Sequence, residues 1–156
     1  MKSKALALAA VLAAGAVFVH PTAAFAGTYT PEAACAKETG RSGWTHVRDN
    51  KRAVKTGGST YGYVYLMWNR SLQKNCVAVI KTSYVGTPTF TQAVLKFEDG
   101  AAYRDPGQLT AKKYKYFAAA AGYGKGKCVK YEGYISDTRV DFALASGKRT
   151  TWGNCG

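Results

Sequence analysis

From Trp44 onward the chain alternates apolar and polar positions in short runs, the period-two pattern of β-strands. "WTHVR" predicts a first short strand, and "DNKRAVKTGGST" (residues 49–60) reads as a basic loop. In "YGYVYLMW", Tyr61, Tyr63 and Tyr65 share one face while Val64 and Leu66 share the other. "CVAVI" is apolar at every position, which suits a central strand covered on both sides, and "NRSLQKN" before it has the composition of a hairpin loop. "FTQAVLKFE" alternates again, and Asp99–Gly100 predicts a type I′ hairpin turn. "RDPGQ" turns the chain once more. "KYKYFAAAA", "KCVKYEGYI" and "RVDFALA" continue the series, the last with Val140, Phe142 and Leu144 inward and Arg139 and Asp141 outward. "TTWGNCG" closes it.

No segment from residue 27 onward carries a helical period, the Ala118–Ala121 run being the one ambiguous place. Many short strands with turns at close intervals predict an all-β fold, a small antiparallel sandwich or barrel. "YVYLMWNRSLQKNCV" and "YKYFAAAAGYGKGKCV" echo one another. Either a repeated strand–loop–disulfide unit or the ordinary likeness of hairpins accounts for that.

The N-terminus differs in kind. "MKSK" is basic, "ALALAAVLAAGAVFV" is apolar and uncharged, and "AFA" precedes Gly27. This is the layout of a secretory signal peptide over residues 1–26, too short for a comfortable membrane span. Residues 27–34, with no apolar period, read as a flexible tail, and residues 35–156 as one domain. The expected location is secreted, extracellular.

Export changes the reading of the cysteines. Cys35, Cys76, Cys128 and Cys155 all follow the leader, and an even count in a short exported chain predicts two disulfides. Four cysteines permit three pairings; Cys35–Cys76 with Cys128–Cys155 is favoured because each bond then ties neighbouring segments together. Close C-x-x-C pairs are absent and His46 is the one histidine after the leader, so neither a metal nor a cofactor is expected.

The formal net charge is +13, of which Lys2 and Lys4 leave with the leader. That excess attracts polyanions: wall polymers, nucleic acid, or acidic faces of proteins. The cations cluster as Lys51 and Arg52 with Lys55, then Lys112, Lys113 and Lys115, then Lys125, Lys127 and Lys130. Lys148 and Arg149 follow in the last turn. Alternation places Lys113 and Lys115 opposite Tyr114 and Tyr116. Convergence of two or more clusters would make one acceptor of anionic surface; a solvated rim that discourages edge pairing is the simpler reading. The tyrosines and tryptophans suit a protein interface. No RNP or KH motif directs the charge toward nucleic acid.

Catalytic patterns are sparse. A small basic exported nuclease would need an acid–base pair beside phosphate-binding cations; His46 with Glu98 or Glu132 could be nominated, yet His46 sits inside a strand pattern. Neither G-x-S-x-G nor a phosphate loop occurs, and no carboxylate pair stands out.

"TPEAAC", "VYLMWN…KNCVAVI", "YFAAAA…GKCVKYEG" and the terminal "GNCG" together resemble the spore-associated protein A family of actinobacteria, over roughly residues 30–156. The resemblance implies an exported, disulfide-bonded β protein with no catalytic residues to carry over. In architecture alone, a small basic body with an N-terminal tail also resembles the adaptor subunit of actinobacterial umbrella toxin particles. The expectation is therefore a non-enzymatic binding or adaptor module. Its binding residues would be Lys51, Arg52, Lys112, Lys113, Lys115, Lys125, Lys127 and Lys130. Its partner would be an acidic protein subunit of a larger extracellular assembly, such as an antibacterial toxin particle, or an anionic cell or spore surface. Residues 27–34 would add as a strand to a second partner. The rival readings are a small secreted hydrolase such as a ribonuclease, and a stand-alone antimicrobial or inhibitor protein.

Overall fold

A computed structural model describes residues 29–108, 110–139 and 143–156. Residues 1–28, where a signal peptide and the start of a tail are expected, lie outside the described residues, as do Leu109, Val140, Asp141 and Phe142. Helix α1 spans Pro31–Thr39 and is followed by nine strands: β1 Thr45–Thr56, β2 Ser59–Asn69, β3 Lys74–Lys81, β4 Thr89–Phe97, β5 Ala102–Asp105, β6 Lys113–Tyr114, β7 Phe117–Tyr123, β8 Val129–Ser136 and β9 Leu144–Gly153. They form one antiparallel sheet in the order β5-β4-β8-β9-β1-β2-β3-β7, with β6 added on β4. The sheet is rolled into a nearly closed barrel.

Tyr103 and Asp105 close the seam between β5 and β7. The Tyr103 ring lies where a side chain on Gly122 would be, and the Asp105 carboxylate accepts from the Ala119 amide (3.4 Å) and from the Tyr114 hydroxyl. Burial and the Asp105 carboxylate together push the Tyr114 phenol well above its ordinary range.

Inside the barrel, Val54, Val64, Leu66, Val77, Val79, Leu95, Phe97, Val129, Tyr131 and Ile135 form the principal core. Opposing walls approach closely at Gly133, where an added Cβ would meet Val64 Cβ at 2.6 Å and Val79 Cγ2 at 2.8 Å. Each mouth holds a buried cation. At one, Lys81 donates to Thr87 O (2.7 Å), Thr89 Oγ1 (2.8 Å) and Tyr114 O (3.1 Å), and burial lowers its pKa to about 8. At the other, Arg149 donates to Val129 O (2.8 Å) and lies over the Tyr131 ring; burial lowers its pKa too.

The central-strand reading of "CVAVI" holds. Val77 and Val79 face the barrel interior, while Cys76, Ala78 and Ile80 face a second core with Ala34, Cys35, Trp44, Met67 and Ala119 under α1. Both favoured disulfides are present, Cys35–Cys76 fastening α1 to β3 and Cys128–Cys155 fastening the C-terminal segment to the start of β8.

Several expectations change. Residues 31–34 belong to a helix rather than a flexible tail, and Ala34 is fully buried. Thr30 caps the helix by accepting from the Ala33 amide (3.2 Å), Pro31 opens it, and Gly40 ends it at φ 67°. That stretch is thus unavailable for strand addition. The basic loop over residues 49–60 is instead the body of β1, and the turn contracts to Gly57–Gly58, both at positive φ as a type I′ turn requires. Tyr61 leaves the face of Tyr63 and Tyr65 for the core, beside a register shift between Val54 and Lys55. Asp99–Gly100 is not type I′: Gly100 alone takes positive φ, Gly100 N–H bonds Phe97 O, and Phe97 N–H bonds Ala101 O, the type I turn with a G1 bulge. Leu144 points outward and is 43% exposed. The two echoing segments are not a repeat, since β2 and β3 form a hairpin whereas β7 pairs with β3 and β8 with β4 and β9.

Candidate functional site

Helix α1 covers the outward faces of β2, β3 and β7. The outward face of β5-β4-β8-β9, continuing onto β1, has no such cover among the described residues. Register fixes what it displays. One rung runs Arg104–Val94–Glu132–Lys148, the next on one side pairs Lys96 with Lys130, and on the other side Gln92, Tyr134, Ser146 and Lys55 follow in line. Along each strand these side chains recur about every 6.6 Å, two residues of extended chain. Val94, in the middle, is buried.

Glu132 organises this face. Lys96 Nζ donates to its Oε1 (2.6 Å) and Tyr134 Oη to its Oε2 (2.6 Å). Partial burial pushes the Glu132 carboxyl up, but Lys96, Tyr134 and Lys148 outweigh that and hold it below the usual range. Lys148 lies 5.1 Å from the Tyr134 ring centre, and Lys130 lies 4.1 Å over Trp152, itself 44% exposed. Hydrogen bonding to Tyr134 raises the Lys148 pKa. The result is an array of Lys55, Lys96, Arg104, Lys130 and Lys148 with Glu132 among them, and with the exposed Trp152 ring beside Lys130.

Of the residues nominated from sequence, Lys130 lies on this face. Lys112, Lys113 and Lys115 lie near β6, beside Thr89 and Phe90 at the start of β4. Lys125 and Lys127 lie beyond the other end of β4, whose Phe97 pairs with Val129. Phe90 and Phe97 are seven residues apart, so about 23 Å of strand separates the two clusters. Lys127 pairs with Asp99 (2.7 Å) and Arg52 with Asp49 (2.7 Å), so part of their charge is already matched. Lys51 Nζ sits 4.1 Å over Tyr63, and Lys112 lies over Tyr114. The clusters that look contiguous in sequence are thus dispersed, and the contiguous array is drawn from separate strands. Lys96 and Arg104 were missed; the alternation in "FTQAVLKFE" marks Lys96 as outward-facing but not which cations lie beside it.

His46 has a carboxylate partner, though neither of those considered. Glu32 at the start of α1 lies 2.7 Å from its Nε2. Glu98 instead accepts from the Cys128 amide, and Glu132 is tied to the basic face.

No family model matches the chain, and no solved structure matches it. Spore-associated protein A of Streptomyces coelicolor is 33% identical over 84 residues, 53% of this chain and 51% of the relative. The chain therefore aligns with about half of that protein's length, a resemblance at family level.

Proposed function

We propose that this is an exported, non-enzymatic binding module that docks an acidic protein partner on the outward face of β5-β4-β8-β9. The observation that carries this reading is the array of Lys55, Lys96, Arg104, Lys130 and Lys148 interleaved with Trp152 and Tyr134. Lys96, Lys130 and Lys148 already rest on Glu132, Trp152 and Tyr134, so they have less freedom to lose on binding than free lysines. Exposed aromatic area between them supplies the apolar contact that a purely electrostatic rim lacks. The two disulfides and the resemblance to a spore-associated protein support an extracellular setting. A partner belonging to a larger extracellular assembly makes the module an adaptor; an anionic cell or spore surface is the alternative docking partner.

The experiment is retention on immobilised polyglutamate and on a polyglycerol phosphate matrix. Lys130→Glu/Lys148→Glu is compared with Lys113→Glu/Lys125→Glu, which carries the same change of charge. Stronger loss from polyglutamate in the first variant supports the reading. Equal loss in both variants reduces the effect to net charge and refutes it. Retention on the phosphate polymer alone moves the partner to the surface.

A further inference from the structure

The barrel mouth that holds Arg149 carries more positive charge than the protein itself neutralises. Strand β1 bulges there: its register on β2 passes from His46–Met67 to Lys51–Tyr65, five steps along one strand for two along the other. The surplus residues reach the end of β9. The Asn154 amide donates to Arg48 O (3.3 Å), and the Tyr131 hydroxyl donates to Asp49 O (3.1 Å). Beside them lies a hollow of about 190 Å³, lined chiefly by Arg48, Asp49, Arg149, Thr151, Trp152 and Asn154.

Arg149 is 5% exposed, and each acceptor it meets is neutral: Val129 O, Gly153 O and Asn154 Oδ1. Its Nε has no acceptor among the described residues. A charge taken out of water is costly unless an opposite charge meets it. Asp49 does not serve, because its two oxygens are taken by the two terminal nitrogens of Arg52 (2.7 and 2.8 Å). Hydrogen bonding to Arg52 holds the Asp49 carboxyl below its ordinary value, and the charges of Arg149 and Arg48 act in the same direction. Arg48 and Arg149 form no ion pair among the described residues. Three guanidiniums thus gather about one carboxylate, which leaves two positive charges unmatched.

We propose that this hollow binds a phosphate-type dianion, as the free ion or as the monoester end of a larger molecule. Two negative charges match the surplus; a carboxylate would meet half of it. Guanidiniums also present forked donors that suit the oxygens of a phosphate. The hollow has room for one such group and none for a folded protein surface, which sets it apart from the docking of an acidic partner on β5-β4-β8-β9.

The test is titration calorimetry of the disulfide-bonded chain with inorganic phosphate, glycerol phosphate and acetate, slightly above neutral pH and at constant ionic strength in chloride. One phosphate per chain is expected, with acetate at least about tenfold weaker. Arg48→Gln should weaken phosphate at least about tenfold, a loss of about 1.4 kcal/mol. Arg104→Gln and Lys148→Gln, which remove the same charge from the basic face, should leave it unchanged. Arg149→Met should lose phosphate too; Arg48 is exposed, so Arg48→Gln stands even if that buried variant misfolds. Glycerol phosphate bound as tightly as phosphate assigns the site to an esterified group, and phosphate bound alone assigns it to the free ion. Absence of phosphate binding, acetate as tight as phosphate, or equal losses in Arg48→Gln and Lys148→Gln overturns the proposal. The acidic partner is read from Lys130→Glu/Lys148→Glu on polyglutamate, so the two readings fail separately.

Discussion

Gly133 is the sharpest internal test of the barrel, because its place in strand β8 follows from contact across the interior rather than from a turn. A Cβ there would sit 2.6 Å from Val64 Cβ, 2.8 Å from Val79 Cγ2 and 3.0 Å from Val64 Cγ2. Carbon atoms pack best at about 3.5–4.0 Å, so β8 and the opposite wall must separate by roughly 1 Å to admit one methyl group. Val64 and Val79 are both fully buried, with no open side to yield into. Overpacking of this kind costs about 1–3 kcal/mol, and three contacts on backbone-near atoms place Gly133→Ala toward the upper figure. In a domain of this size, that corresponds to a fall in Tm on the order of 10 °C. Guanidinium and thermal unfolding with the disulfides intact would measure it.

The decisive arm is the double variant. Val79→Ala alone opens a cavity and destabilises, but in combination it receives the new methyl group, so the two losses should sum to less than their parts by about 1 kcal/mol or more. Strictly additive losses, or a neutral Gly133→Ala, would refute the close approach of the two walls. The consequence reaches the surface as well. Glu132 and Tyr134 flank Gly133 on the same strand, so a displaced β8 should also weaken capture of the acidic partner.

Three further outcomes follow from the structure. Lys81 has a folded pKa lowered to about 8 against an ordinary 10.5, so between those values the unfolded chain holds the proton more tightly. Stability should therefore rise with pH across that window, by at most about 3 kcal/mol, and Lys81→Met should lack that rise in pH-dependent unfolding. Opening Cys35–Cys76, which spans 41 residues, should cost about 3.9 kcal/mol, and opening Cys128–Cys155, which spans 27, about 3.6 kcal/mol on the chain-entropy model; denaturation of the paired Cys→Ser variants measures both. RNA and wall polymer should remain intact in the presence of the protein, and hydrolysis that disappears in His46→Ala would contradict a non-enzymatic role.

The sequence was most informative where burial alone dictates the pattern. The unbroken apolar run of Cys76–Ile80 required cover on both sides and received it from the barrel interior and α1. The cysteine pairing followed from which segments lie adjacent. Helix α1 escaped notice because its buried side is only Ala34 and Cys35, too little to set a period. Its evidence lay in its ends, Thr30–Pro31 and Gly40, which capping chemistry makes meaningful. The first residues of β1 are legible in "WTHVR", but residues 49–56 read as a loop because their outward side carries Lys51 and Lys55 while Val54 is the one fully buried residue. Of the basic face, only Lys130 was nominated from sequence, and its neighbours there were not legible. Lys96, Lys130 and Lys148 become neighbours through the registers of β4 with β8 and β8 with β9, and a single sequence shows outwardness without showing which strands lie side by side.

Zero-length carbodiimide cross-linking of the complex captured from culture supernatant tests docking most directly, because it joins an ammonium to the carboxylate it touches. Cross-links should fall on Lys55, Lys96, Lys130 and Lys148. Cross-links confined to Lys112, Lys113, Lys115 and Lys125 would place the partner at the barrel ends and contradict the account.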